Sequence, residues 1–199
     1  MVMIKSEHVY SRLRTKVLLL LVAIQFVGNS SLQYNPAITT ASAQCGIENT
    51  AFKSGEFLYY DLYFNWKFIW VKVGTASMST QLTNYEGKPA YKSSLITRGN
   101  NKLDKFFVMR DTLLSYCTED LSPLYYRKGA EEGKRYYVDE LWYSYPNGNC
   151  HLKQHRLTHR GKHEWRESEY QDCIYDMMSI FLRARNFDAS NYKKGDIIP

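Results

Sequence analysis

The sequence predicts a mainly β fold: a curved antiparallel sheet, a half-barrel meander, with one packed helix at about 175–186. Three observations carry this. Tyrosine is abundant, with 17 in 199 residues, and a tyrosine suits a pleated surface where its ring packs and its hydroxyl stays wet. Short alternating segments recur between turn signals such as Glu86-Gly87, Glu131-Glu132-Gly133 and Asn147-Gly148. Only one segment places its apolar residues at spacings of three and four, as a helix face requires.

The first 43 residues read as a secretory signal peptide. Lys5, Arg12, Arg14 and Lys16 form a positive start, and Val17 to Val27 is an apolar run broken by Gln25. That run is too short for a transmembrane span, which takes about 20 residues. Ala41-Ser42-Ala43 fits a small-x-small cleavage site and leaves Gln44 as the new N-terminus; an earlier cut near Gly28 to Ser31 is the alternative. Lipoprotein anchoring at Cys45 is the weaker reading, because its cut would follow Gln44, a residue too large and polar for that site. The expected location is therefore periplasmic or secreted.

Export changes the meaning of the charge. The whole chain carries a net +6 and a pI near 9.0. Four Lys/Arg and one Glu lie in the leader, so the net falls by three to +3 in the remainder. No dense basic run is left there, which removes the main reason to expect a nucleic-acid partner. Residues 44–199 then form a single β-rich domain, long enough for one hydrophobic core.

Phe57 to Trp66 reads as the first strand of that domain, with Leu58, Tyr60, Leu62 and Phe64 on one face and Phe57, Tyr59, Asp61 and Tyr63 on the other. Phe68 to Leu82 follows, and Gly74 inside it marks a bulge or a close backbone approach. Ala90 to Arg98 is the third strand. Leu103 to Met109 is a short helix or a loop that turns Phe106 and Phe107 inward. Asp111 to Thr118, Pro123 to Lys128, Lys134 to Tyr145 and His151 to His159 are the next strands. Asn147-Gly148 predicts a two-residue type I′ hairpin, since both positions need positive φ. Arg160-Gly161-Lys162 is a further turn. The helix is expected to start at Asp176 (or Asp172) as N-cap, to lay its Met/Ile/Phe face on the sheet, and to end on Arg183 and Arg185, where cations are favoured. Lys193 to Pro199 looks like a turn feeding a new strand, as in a domain that continues beyond residue 199.

Phe52-x-x-Gly55-Glu56-x-x-x-Tyr60, the run Val73-Gly74-Thr75-Ala76, the aspartate-led helix Asp176 to Arg183 and the Gly195-Asp196 strand entry together resemble the bacterial domain-of-unknown-function 3108 family. The resemblance covers roughly Phe52 to Pro199. It implies an exported envelope protein with no assigned reaction, and further strands past Gly195-Asp196. By analogy of fold it implies a half-barrel similar to lipoprotein-localisation carriers.

Catalytic patterns are weak. His151, His155, His159 and His163 are four apart, but on a strand such neighbours stand about 13 Å from each other. They read as solvent-facing imidazoles, and His159 and His163, flanking a turn, are the pair that could converge on a metal. Glu56 and Asp61 differ by an odd number, so a regular strand sends them to opposite faces, which does not suit a paired-carboxylate glycosidase; Glu56 is expected to bind backbone donors or an arginine. There is no GxSxG, HExxH, P-loop or CxxC motif. No catalytic residue and no cofactor is assigned. Cys45, Cys117, Cys150 and Cys173 allow three full disulfide pairings, and the sequence does not choose among them.

Aromatic strands with residues on both faces, and no catalytic motif, point to a binding protein. The expected function is an exported envelope protein that holds a lipid or other amphipathic ligand, or an envelope protein partner, on its curved sheet. Tyr59, Tyr63, Trp66, Trp70 and Trp142 are the candidate ligand-binding residues. The alternatives are a hydrolase acting on envelope polymers and a structural component that pairs through a sheet edge.

Overall fold

A computed structural model describes residues 2–7, 45–188, 190, 192–193 and 195–196, with the backbone alone for 2–7. The apolar run Val17 to Val27, the Ala41-Ser42-Ala43 signal and the strand expected from Ile197 lie outside the described residues.

The strands form one antiparallel sheet in sequence order. The body holds eight of them: β2 (Glu56–Trp66), β3 (Ile69–Tyr85), β4 (Lys88–Gly99), β5 (Met109–Cys117), β6 (Pro123–Glu132), β7 (Arg135–Ser144), β8 (Cys150–Leu157) and β9 (His163–Tyr170). A segment named β1 (Val2–Glu7) runs antiparallel along the outer edge of β2. Among the described residues the sheet is open, and β9 pairs only with β8. One helix follows, α1 (Met177–Arg185). The expected half-barrel meander with one helix is therefore the fold.

Local chemistry explains the details. The register between β2 and β3 slips after Leu62, which pairs with Gly74, while Tyr63 pairs with Lys72. Gly74 sits at this bulge, and a Cβ there would collide with the Arg98 carbonyl oxygen. Glu86 and Gly87 both take positive φ, at 50° and 83°, the geometry of a tight hairpin turn. Asn147 and Gly148 also take positive φ, at 55° and 88°. Their hairpin is nevertheless not a two-residue one: β7 ends at Ser144 and β8 begins at Cys150. Pro146 has no N–H to offer a ladder, and the Tyr145 hydroxyl is bonded to the Pro123 carbonyl at 2.9 Å, so pairing stops early.

Two expectations need correction, and one strand goes beyond those expected. Phe106 and Phe107 do not turn inward; they are 86% and 55% exposed, in a loop that follows a single 3-10 turn at Asn101–Leu103. β9 carries no turn-bounded apolar signal. Nearly all its side chains are exposed, so pairing with β8 creates this strand, and core burial does not. α1 buries Met178, Ser179 and Leu182, whereas Met177, Ile180 and Phe181 stay exposed. Two polar anchors set this rotation. Asp176 caps the helix by accepting from the Ser179 N–H at 2.9 Å and also meets the Tyr143 hydroxyl at 3.3 Å. Arg185 binds both oxygens of Glu56, at 2.6 and 2.8 Å.

The core lies on the inner face, between the sheet, α1 and the segment around Phe52. It gathers Leu58, Met78, Leu113, Cys117, Tyr143, Leu152, Met178 and Leu182. Each fully buried Met or Leu contributes about 1.5–3 kcal/mol. This core fills only part of the inner face, which leaves room for a site.

Candidate functional site

One row of residues runs across the whole inner face and changes character halfway. Leu58, Met78, Leu95 and Leu113 are cross-strand neighbours in succession, and the row continues directly through Lys128, Asp139, Arg156 and Glu164. α1 covers the apolar half. The ionic half is left to an open cleft of about 940 Å³, whose walls include Phe107, Tyr126, Lys128, Tyr137, Arg156 and Met177. Lys134, Arg135 and His159 stand at its margin.

The polar wall is organised. Lys128 donates to Glu132 at 3.1 Å and to the Tyr137 hydroxyl at 3.0 Å, and Tyr137 donates to Glu132 at 2.9 Å. Burial alone would lower the Lys128 ammonium, but these bonds outweigh it and raise it above its ordinary value. Glu132 is held below the usual carboxylate range, first by the Tyr137 bond and then by Lys128. Arg156 pairs with Asp139 at 2.6 Å. Tyr126, 6% exposed, is the boundary between core and cleft; burial first, and then the Asp176 carboxylate, push its hydroxyl up to about 12. Asp111 lies next along β5's inward side, and burial raises its carboxyl against the pull of Lys128. The Tyr126 hydroxyl and the third N–H of Lys128 stand as donors beside Phe107 and the exposed Met177. A cleft with both characters suits a ligand with an anionic head and an apolar body.

The outer face carries a different feature, an aromatic ladder. Tyr85, Tyr116, Tyr125, Trp142 and Trp165 follow one another with ring centroids 4.8–6.3 Å apart. His155 stacks on Trp165 at 4.2 Å and on His163 at 5.1 Å. A chain of hydrogen bonds lies over it: the Tyr125 hydroxyl to Glu140 at 2.7 Å, Glu140 to His155 Nδ1 at 2.8 Å, and His155 Nε2 to His163 Nδ1 at 2.8 Å. Burial would raise Glu140, but the His155 and Tyr125 bonds outweigh it and lower the carboxyl. The rings lean on one another, and Trp165 at the end of the ladder is 58% exposed.

The sequence candidates fall as follows. Tyr59, Tyr63 and Trp70 are on the β2–β3 hairpin; the side chain of Trp66, on the same hairpin, lies outside the described residues. Tyr59 and Trp70 are exposed at 44% and 42%. Trp142 is in the outer ladder, and none of Tyr59, Tyr63, Trp70 and Trp142 lines the cleft. His159 and His163 do not meet. His163 meets His155 instead, because Leu157 pairs with His163 across the β8–β9 hairpin and places residue 155 diagonally opposite. Among the described residues, no group of three or more His, Cys, Asp or Glu is arranged to hold a metal ion. Glu56 and Asp61 do part to opposite faces, Glu56 to Arg185 and Asp61 to Lys72. Cys45 is joined to Cys173, with their Cα atoms 5.5 Å apart. Cys117 and Cys150 are buried free thiols, and burial, reinforced by Asp176, pushes Cys117 up to about 12.

The family described as a protein of unknown function, DUF3108, matches residues 59–199. The chain belongs to the DUF3108 family. The match begins within β2 and runs to the C-terminal segment, so the cleft and every member of the two-character row except Leu58 lie within it. No curated protein and no solved structure matches the chain. Among the described residues no helix is long and apolar enough to cross a membrane.

The cleft residues were not visible in the sequence. Lys128, Asp139 and Arg156 look like ordinary alternating charges, and only the register of successive strand pairs aligns them with Leu58, Met78, Leu95 and Leu113. Parity of alternation puts Tyr126, Lys128 and Ala130 on one side of β6, which is the one signal that pointed to the inner face.

Proposed function

We propose that this DUF3108 protein is exported and holds an amphipathic ligand with an anionic head in the open half of the sheet's inner face. The observation that carries the reading is the single cross-strand row that passes from Leu58, Met78, Leu95 and Leu113 to Lys128, Asp139 and Arg156. The head group meets Lys128, Lys134 and Arg135; the apolar body lies along Phe107, Tyr126 and Met177. Export is supported by the Cys45–Cys173 bond, since disulfides persist in oxidising compartments. The same bond engages the thiol that lipidation would need. N-terminal sequencing of protein from the periplasm should begin at Gln44.

The ligand reading is tested with 11-(dansylamino)undecanoic acid as fluorescent probe. One saturable site is expected, weakened about tenfold by Lys134→Ser with Arg135→Ser. A probe that does not saturate, or whose affinity ignores both substitutions, overturns it. Pairing through the β9 edge is disfavoured, because β9 presents Glu164, Arg166, Glu167 and Glu169, and charges blunt an open edge.

A further inference from the structure

In an antiparallel meander the connections alternate between two rims of the sheet. One rim holds residues 67–68, 100–108, 133–134 and 158–162; the other holds 86–87, 118–122 and 145–149. Their charges are opposite. The first rim carries Lys67, Lys102, Lys105, Lys134, Arg160 and Lys162 against Asp104 alone, while the second carries Glu86, Glu119 and Asp120 with no Lys or Arg. Asp104 is bonded to Arg110 and Lys162 to Glu164; the other cations of this rim are in no ion pair among the described residues.

The same rim displays large apolar side chains. Phe68, at the tip of the β2–β3 hairpin, is 84% exposed, and Phe106, on the next connection, is 86% exposed. Phe64, Ile69, Trp70 and Val71 extend the exposure down the hairpin, at 42–53%. This hairpin projects past the body, since β4 pairs with β3 only as far as Gly74 and Gly99. Neither strand has an acidic residue between Leu62 and Tyr85. The cleft opens beside this rim, with Phe107, Gly133, Lys134, Thr158 and His159 in its wall.

We propose that this rim docks the protein on an anionic lipid bilayer, with Phe68 and Phe106 in the headgroup region. Charge complementarity selects the partner. Unpaired lysines on flexible stems surround the apolar tips, and a leaflet of anionic lipid attracts such a cluster. Shape agrees with it. Phe68 and Phe106 stand on two separate connections and are almost fully exposed, as side chains that enter a soft interface from a rim are. Trp70, set back from the tip, is at the level where an indole prefers the boundary of water and hydrocarbon. The inference goes beyond the ligand reading and does not depend on it: bilayer binding is an affinity of the rim, and ligand binding is an affinity of the cleft.

The test is co-sedimentation of the purified protein with vesicles of phosphatidylglycerol and phosphatidylcholine, compared with phosphatidylcholine alone. Binding is expected to the anionic vesicles and to fall sharply at high salt. Phe68→Ser and Phe106→Ser should each weaken it about tenfold or more, and Lys67→Ser or Lys105→Ser about fivefold. Phe57→Ser, at the far end of β2 and 59% exposed, should leave it unchanged. Circular dichroism checks that each variant folds. The proposal is overturned by equal binding to both vesicle types, by loss in Phe57→Ser equal to that in Phe68→Ser, or by a Phe68-dependent dimer in light scattering with no vesicle binding. The undecanoic acid titration, done without vesicles, reports separately on the cleft.

Discussion

The two rims of this sheet are built on opposite principles. At the rim near residues 86–87, 118–122 and 145–149 the chain is fastened repeatedly. Cys173 is bonded to Cys45. Arg183 donates to the Cys45 carbonyl at 2.8 Å, and the Ile47 N–H donates to the Asp120 carbonyl at 2.6 Å. The Asn186 side chain accepts from the N–H groups of Thr50 and Ala51 at 2.6 and 3.0 Å. At the other rim the connections carry cations and exposed phenylalanines and are fastened to little. The contrast separates the part of the sheet that encloses the core from the part that leaves the cleft open. The sealed rim closes the core, and the open rim gives access to the cleft.

Four perturbations sharpen that contrast. The largest effect is expected from Cys45→Ser with Cys173→Ser. The bond closes a loop of sequence separation 128, so its loss should cost about 4 kcal/mol in urea unfolding. Leu182→Ala follows. This side chain is fully buried under α1, and its truncation should cost about 3 kcal/mol. A change near zero in either would show that the sealed rim does not hold the core.

Asp176→Ala is third, at about 2 kcal/mol, because it removes the helix cap and strands the Ser179 and Tyr143 donors. Asp176→Asn should cost less and should change the pH profile. Burial raises the Asp176 carboxyl above its ordinary value, although bonds from Ser179 and Tyr143 oppose it. The folded state therefore holds that proton more tightly than the unfolded chain. Its contribution to stability falls as pH rises from about 4 through the raised value, and is constant above it. The asparagine variant should lack that component in melts taken across this range. The smallest effect is at the open rim: Phe106→Ser should shift stability by about 0.5 kcal/mol or less. A loss near that of Leu182→Ala would erase the distinction between rims.

Much of the sheet was legible in the sequence, because alternation and turn residues act locally. Gly74 announced the bulge, Glu86-Gly87 the tight turn, and Asp176 the helix cap. What was hidden depends on distant neighbours. β9 is exposed along its length and exists because β8 offers a ladder. The rotation of α1 is set by Tyr143 and Glu56, far away in sequence, so its Met/Ile/Phe residues divide between core and surface. Phe106 and Phe107 read as buried from hydrophobicity alone, yet they stand among lysines at a rim. The pairing of His155 with His163 needed the β8–β9 register, which the turn residues did not specify.

The proposed ligand site is the ionic half of the inner face, with α1 closing the other half. Amide chemical-shift mapping during titration with dodecanoate tests it most directly. Saturable shifts are expected to cluster at Tyr126, Lys128, Gly133, Tyr137 and Thr158, with Met178 and Leu182 unmoved. Shifts centred on α1 or the outer aromatic ladder, or no saturable shifts, would contradict it.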